Sequence, residues 1–311
     1  MWGIAFLFVG SIIGAGFATG AEILAFFGGL DFPPLLIGAF VVLTQFAVMF
    51  LILNRASKQT QKSTRFTKFK KVYELALYFI LFTAMTAGIS KLFGAIAGAI
   101  SLCVSLFIVF LGFNKMVVIN RYLVLFVSTV LFIINIVFLN SGSFEIGNAV
   151  SAPSAIFWAF LYSGLNCCMM DSIVKTALKT KTRREVILAS IISSLIVGVF
   201  TFLILNSIRT NAISSAVPML EISKNPITLV AVLGCIITSQ FSSLFSIKET
   251  LPARFSGVYF VALVCALCFA MSFIGFSNII SFFYPIIGGI TVITLSIFYI
   301  RNYSDNAIEP K

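Results

Sequence analysis

Three short stretches concentrate the groups that could do chemistry. The first runs Gly10-Ser11-Ile12-Ile13-Gly14-Ala15-Gly16-Phe17 and on through Ala18-Thr19-Gly20-Ala21 to Glu22. The second is Tyr162-Ser163-Gly164-Leu165-Asn166, and the third is Cys235-Ile236-Ile237-Thr238-Ser239-Gln240. They offer backbone groups, hydroxyls, amides and a single carboxylate. The chain has no histidine, so the commonest general base and metal ligand is missing. With the acids scattered, no catalytic constellation can be assembled, and an enzyme is not expected. The chemistry on offer is reversible binding. Oxygens suit a hard ion such as sodium, freed backbone amides suit an anionic group, and a carboxylate suits a cation or a proton.

The elements that hold these groups follow from composition. Of 311 residues, 60% are hydrophobic and 10% are charged, and the mean hydropathy is +1.10. A soluble domain keeps roughly a quarter of its residues charged. This chain cannot cover a watery surface, so its apolar residues must face lipid. A transmembrane helix takes about 20 mostly apolar residues. That ruler predicts ten spans, over 2–27, 32–53, 72–91, 94–111, 122–139, 154–174, 186–206, 226–247, 255–275 and 279–300.

The formal net charge of +11 sorts along those spans. Segment 54–71 carries Arg55, Lys58, Lys62, Arg65, Lys68, Lys70 and Lys71 with no acid; 112–121 adds Lys115 and Arg121, and 175–184 adds five more basic residues. Of the 21 Lys and Arg, all but Lys91, Arg209 and Lys224 fall on one side of the alternation. The positive-inside rule then predicts cytoplasmic N- and C-termini, in the cell (inner) membrane. The basic pI of about 9.5 is accounted for by topology determinants beside anionic headgroups; no aromatic–basic interleaving suggests a nucleic-acid partner. The expected partners are the lipid bilayer and a small molecule.

The six cysteines, Cys103, Cys167, Cys168, Cys235, Cys265 and Cys268, all fall inside predicted spans. A disulfide framework is not expected, and Cys265 and Cys268, on one helix face, read as small packing residues. The apolar N-terminal stretch lacks a basic n-region and is too long for a signal peptide.

The first span is not a uniform helix. Each mid-helix glycine costs about 1 kcal/mol relative to alanine, and Gly10, Gly14, Gly16 and Gly20 crowd into eleven residues. One reading is close helix packing by small residues. The other is an unwound hinge, which at this depth must be covered by protein or line a cavity. A second candidate interruption, the stretch from Trp158 to Cys168 with the polar row Tyr162 to Asn166 inside it, lies half a chain further on, in the sixth span. Paired interruptions at corresponding positions of two halves are the mark of a repeat-built transporter. The expected repeats are residues 1–150 and 151–311, opposite in orientation because five spans is an odd number.

The stretch from Gly10 to Phe17 resembles the first-helix signature of the amino acid–polyamine–organocation (APC) superfamily, whose members have the LeuT fold. Its continuation through Ala18-Thr19-Gly20-Ala21-Glu22-Ile23, with Tyr162 to Asn166, is similar to the YkvI-like branch. The resemblance implies an all-α membrane protein of about ten helices, a 5+5 inverted repeat with helices 1 and 6 interrupted, and alternating access as helices 1, 2, 6 and 7 move against a scaffold. It implies a substrate site at Gly14, Ala15, Gly16, Phe17, Tyr162, Ser163 and Asn166, with Tyr162 as an aromatic lid or wall. It also implies a sodium site from the carbonyls of Gly10, Ile13 and Cys235 and the hydroxyls of Thr238 and Ser239. Against that stands back-bonding of the hydroxyls to their own helix, and Ser242, Ser243 and Ser246 share the same span.

Glu22 leaves two readings open: a proton carrier or cation-attracting gate, or a vestibule carboxylate paired with Lys91 or Arg209. Asp171 reads as the helical partner of Lys175, and Gln45 and Asn135 as interhelical glue. The expected function is secondary transport of a small solute (an amino acid, amine or organic cation), coupled to sodium or protons, with no other cofactor. A membrane receptor that binds the same kind of ligand without moving it is the alternative. A channel is disfavoured by the lack of a selectivity loop or charged ring.

Overall fold

The computed structural model describes residues 2–57, 64–111, 113–139, 152–168, 170, 173–174, 177–178, 181–211 and 213–308. Every regular element among them is helical. The predicted first span is three pieces, α1 (Trp2–Ile12), α2 (Ala15–Thr19) and α3 (Ala21–Phe27). Then follow α4 (Pro34–Ser57), α5 (Thr64–Phe93), α6 (Ala95–Leu111), α7 (Phe113–Leu139), α8 (Ala152–Cys167) and α9 (Arg183–Thr210). The chain ends with the short α10 (Pro218–Ile222), α11 (Pro226–Thr250), α12 (Val258–Ser272) and α13 (Phe276–Ile308).

Each predicted span thus has a helical counterpart, and five helices are long and apolar enough to cross a membrane by themselves. Leu43, Ile96, Phe107, Val137 and Ile293 stand exposed on the outer helix faces, which in water would be a costly surface. The protein is a multi-pass membrane protein. Several helices outrun the apolar ruler: backbone read as basic loop at 64–71 and as tail after 300 is helical, because lysine and arginine are good helix formers. Lys58, Lys62, Asp171, Lys175 and Lys179 lie outside the described residues.

Local signals set the helix boundaries. The Thr182 hydroxyl accepts from the Glu185 amide at 3.3 Å while Glu185 Oε2 accepts from the Thr182 amide at 3.0 Å, a capping box that starts α9. Asn225 Oδ1 accepts from the Ile227 amide at 3.0 Å ahead of Pro226, starting α11. Gly94, at φ 88°, makes the one-residue corner between α5 and α6, a left-handed position that favours glycine.

Two groups of helices emerge. In one, α4 packs against both α8 and α9, and α1 against α9 and α8. The second has an apolar cluster with Phe82 of α5, Leu102 of α6, Phe241 and Leu244 of α11, and Val261, Cys265 and Cys268 of α12, while the other ends of α5 and α11 join the core of the first through Met85 and Ile236. The two ends of α9 are tied differently: Arg183 donates to Asn54 Oδ1 at 2.7 Å, and Arg209 donates to the carbonyls of Phe27, Leu30 and Phe32 in the turn before α4.

Candidate functional site

The break in the first span is real and lies at Ile13-Gly14. The Gly14 amide donates to the Ile12 carbonyl at 2.6 Å, where an unbroken helix would have used the Gly10 carbonyl. Gly14 is extended, with φ −97° and ψ −172°. The chain is helical again from Ala15, and the Ala18 amide returns to the Gly14 carbonyl at 2.9 Å. A second break, not foreseen, follows at Gly20, whose φ of 77° closes α2 and opens α3. This double kink turns the short α3 so that Glu22 comes back toward the first break.

The sixth span behaves differently. Its helix is continuous through Tyr162, Ser163, Gly164, Leu165 and Asn166 and ends at Cys167, inside the predicted span, with Cys168 in a turn, so the helix stops at the end of the predicted stretch and not at Gly164. Gly164 is a crossing point: a side chain there would collide with the Gly288 carbonyl, and one at Gly288 with the Leu161 carbonyl. The two backbones approach closely because neither helix has a Cβ at the contact. Ser163 lies 2.8 Å from the Thr44 hydroxyl, with both groups buried. It joins α8 to α4 and does not face the ligand space.

Between the two helix groups, at the first break, lies a partly open cavity of about 390 Å³. Gly10, Ser11, Ile13, Gly14 and Glu22 line it from the first span, Tyr78 and Met85 from α5, Asn166 from α8, Thr238, Ser239 and Ser242 from α11, and Tyr284 from α13. It reaches along α11 as far as Ser246, near the end of that helix at Thr250. One turn along α8 from Asn166, and one turn along α3 from Glu22, aromatic side chains pack together. Tyr162 is fully buried and packs edge-on against Phe26 and Phe27, with ring centroids 5.3 and 5.2 Å away, and Trp158 abuts Phe26 at 6.1 Å.

Of the residues expected to hold a substrate, Gly14 and Asn166 line the cavity, while Gly16, Phe17, Tyr162 and Ser163 lie behind it. Phe17 is fully buried against Phe200, ring centroids 6.1 Å apart, because the turn of α2 carries it toward α9. Gly16 has a different part to play. The space where its side chain would be is taken by the Glu22 carboxyl group. The Ala15 side chain is outside the described set.

The residues expected to hold sodium do converge. Gly10, Ile13, Thr238 and Ser239 all line the cavity, and Ser239 Oγ lies 3.5 Å from where a Gly14 Cβ would sit. Two of the five engage each other, however: Thr238 Oγ1 donates to the Cys235 carbonyl at 3.1 Å. The Cys235 thiol in turn reaches the Ile13 carbonyl at 3.5 Å, joining α11 to the broken helix.

Glu22 is buried, 7% exposed, on the cavity wall. Its electrostatic neighbours are Tyr162, Tyr284 and Cys235. Among the described residues no lysine or arginine pairs with it: Lys91 is exposed at the end of α5, and Arg209 is bound to the carbonyls of the turn before α4. The vestibule ion pair is therefore corrected. Beside it, the Asn166 amide nitrogen and the Tyr284 hydroxyl are buried without a partner at hydrogen-bond distance.

Tyr284, Tyr78 and Met85 were not picked out from the sequence. The signal for Tyr284 was the adjoining Pro285, inside the long α13, which removes a helix hydrogen bond and marks an irregular wall. Gln45 bonds the Cys167 sulfur at 3.1 Å and so does join α4 to α8, whereas Asn135 bonds the Leu131 carbonyl of its own helix at 2.7 Å.

No protein-family model matches this chain, and none of the curated proteins does. Among solved structures, a manganese transporter of Eremococcus coleocola, in complex with an aromatic bis-isothiourea substituted compound, is similar over 98% of this chain and 71% of its own, at 16% identity and a TM-score of 0.41. So distant a likeness carries no weight, and the functional reading rests on the geometry of the cavity.

Proposed function

We propose that this chain is a secondary active transporter that moves a small solute (an amino acid, amine or organic cation) by alternating access. The observation that carries the proposal is the cavity at the Ile13-Gly14 break. It sits where the broken helix meets α5, α8, α11 and α13 and reaches along α11 toward one end of the bundle, and in this reading the cluster of Phe26, Phe27, Tyr162 and Trp158, one turn or so further along α3 and α8, is the closed side. A site closed on one side and reachable from the other is what one state of an alternating-access cycle requires. A discontinuous helix at the junction is where ligand and coupling ion meet in such folds. The Gly164–Gly288 crossing and the α4–α8–α9 packing give a body that can rock as a unit against α5, α6, α11 and α12.

The APC-like inverted repeat belongs to this reading, with repeats of residues 1–150 and 151–311. Element lengths support it. After each half's opening helix come a long helix, a second long helix, a short one and a long one: 24, 30, 17 and 27 residues in α4 to α7, and 28, 25, 15 and 33 in α9, α11, α12 and α13. The basic residues favour cytoplasmic termini in the cell membrane, so the reachable end of the cavity faces the cytoplasm. The coupling ion is sodium, at the carbonyls of Gly10 and Ile13 with Thr238 and Ser239, or a proton on Glu22. The reading includes no catalytic step and no further cofactor.

The test is counterflow in proteoliposomes holding the purified full chain, with radiolabelled amino acids, amines and organic cations. The expected result is saturable exchange, with accumulation when a sodium or proton gradient is imposed. Ligand binding with no exchange of any bound compound overturns transport in favour of sensing. Uptake indifferent to replacing sodium by potassium, but driven by a pH gradient, removes the sodium site.

A further inference from the structure

We infer that the Glu22 carboxylate, seated on Gly16, is the docking point for the ligand's cationic nitrogen, and that the ligand is a singly charged amine bearing a neutral hydrogen-bond acceptor. The inference deepens the proposed function and rests on the cavity being the ligand site.

Three observations carry it. The first is charge. Among the described residues, Glu22 is the sole acid on the cavity wall, and no basic side chain lines that wall. An ionised carboxylate in such surroundings is expensive unless something pairs with it. Among the described residues no lysine or arginine does so, so the partner is a proton or a cation that enters the cavity, and a cationic ligand takes the proton's place on the carboxyl group. A monocation makes the filled site neutral. A zwitterion brings a carboxylate of its own and leaves the site with an excess negative charge.

The second is placement. The carboxyl group fills the volume that any side chain at position 16 would need. The glycine is therefore a seat, and it holds the carboxyl group against the wall beside Tyr284. This explains a glycine at 16 without invoking backbone contact to the ligand: Gly16 does not line the cavity, and Glu22 does.

The third is the remaining hardware. Asn166, 7% exposed, has its amide nitrogen buried with no partner at hydrogen-bond distance, the Tyr162 hydroxyl one turn back on α8 being its protein neighbour, and a donor in that state takes a well-placed acceptor. The Tyr284 hydroxyl is buried and unpartnered as well. Around them stand Ile12, Leu81, Met85 and Phe245, which suit an apolar body. The volume of about 390 Å³ lies at the small end of ligand pockets. That is far larger than a bare sodium ion and fits a compact organic amine.

The test uses the purified full chain and four probes of one body size, read by calorimetry and by ligand-induced thermal stabilisation: leucinamide, isopentylammonium, leucine and 4-methylpentanamide. Leucinamide is expected to bind most tightly and isopentylammonium next, with leucine and the neutral amide weaker by at least about tenfold. Glu22→Gln is expected to weaken both cations by at least about twentyfold, as loss of one partner of a buried charge pair does, and to erase the preference for them. Glu22→Asp, which keeps the charge but draws it back by one methylene, gives an intermediate loss and guards against a variant that fails to fold. Gly16→Ala, which unseats the carboxyl group, weakens the cations several-fold. Asn166→Ala weakens leucinamide and leaves isopentylammonium alone.

Wild-type cation affinity in folded Glu22→Gln overturns the inference, as does leucine binding as tightly as leucinamide, or no binding by either cation. Counterflow separates this inference from the function it rests on. Exchange of leucine with no role for Glu22 in affinity keeps transport and removes the cation dock. Cation binding that needs Glu22, with no exchange, keeps the dock and removes transport.

Discussion

Two glycines half a chain apart, Gly14 and Gly164, look equivalent in the sequence and do opposite things in the structure. At Gly14 the backbone is extended and the helix is broken, yet an added Cβ would meet nothing closer than Ser239 Oγ at 3.5 Å. At Gly164 the helix is intact, and an added Cβ would run into the Gly288 carbonyl. The first glycine serves the shape of a cavity, the second the contact of two helices. The contrast teaches that a glycine at membrane depth reports the absence of a side chain, and that the reason for the absence lies with whatever is packed opposite.

The comparison can be broken most decisively at the crossing. Gly288→Leu drives a side chain into the Leu161 carbonyl, and overpacking of this kind costs about 3 kcal/mol or more. We expect the variant to lose most of its folded yield and to melt far lower in detergent than the parent. Near-normal stability would mean that α8 and α13 are not held by backbone approach.

A smaller effect is expected where the two halves of the ion site meet. Thr238→Ala with Ser239→Ala removes both hydroxyls from the α11 side of the break. If they ligate sodium, the concentration of sodium giving half-maximal uptake rises about tenfold or more, roughly 1.4 kcal/mol. Unaltered sodium dependence assigns the hydroxyls to their own helix, as the Thr238 bond to the Cys235 carbonyl already hints.

Ser163→Ala should remove one interhelical bond to Thr44. Bonds of this kind in membranes average about 0.6 kcal/mol, so a slightly lower melting temperature and unchanged ligand affinity are expected. A large loss of affinity with normal stability would return Ser163 to the site.

The smallest change in stability belongs to Gly14→Ala, whose Cβ would meet only ordinary contacts. Its stability should stay within about 0.5 kcal/mol of the parent's, read as a nearly unchanged melting temperature, as for a benign substitution. A collapse as severe as that of Gly288→Leu would erase the distinction between the two glycines.

Much of the fold was legible in the sequence. Apolar run lengths located a helix in every predicted span, because the hydrocarbon thickness imposes a minimum length on each, although polar helical extensions moved several ends by seven to nine residues. The break at Ile13-Gly14 was legible from clustered glycines, since weak helix propensity is local. The row Cys235 to Ser239 was legible because hydroxyls at lipid depth are conspicuous. Phe17 and Ser163 were misassigned because each looks toward a partner far away in the chain, Phe200 on α9 and Thr44 on α4, and Gly16 because the kink at Gly20 brings back Glu22, only six residues on. Tyr284 was missed because its position on the wall depends on α13 lying against α8 and α3.

By itself the sequence determined that these residues must meet lipid, where the apolar cores of the helices lie, and where the first helix first fails. Those properties depend on residues within a turn or two of one another. The tertiary structure alone decided that Glu22 folds back onto Gly16, that Asn166 and Tyr284 stand beside it, and that Gly164 is a contact and not a hinge. Each of those depends on which helix faces which, a choice made by packing over the whole bundle and carried by no single stretch of chain.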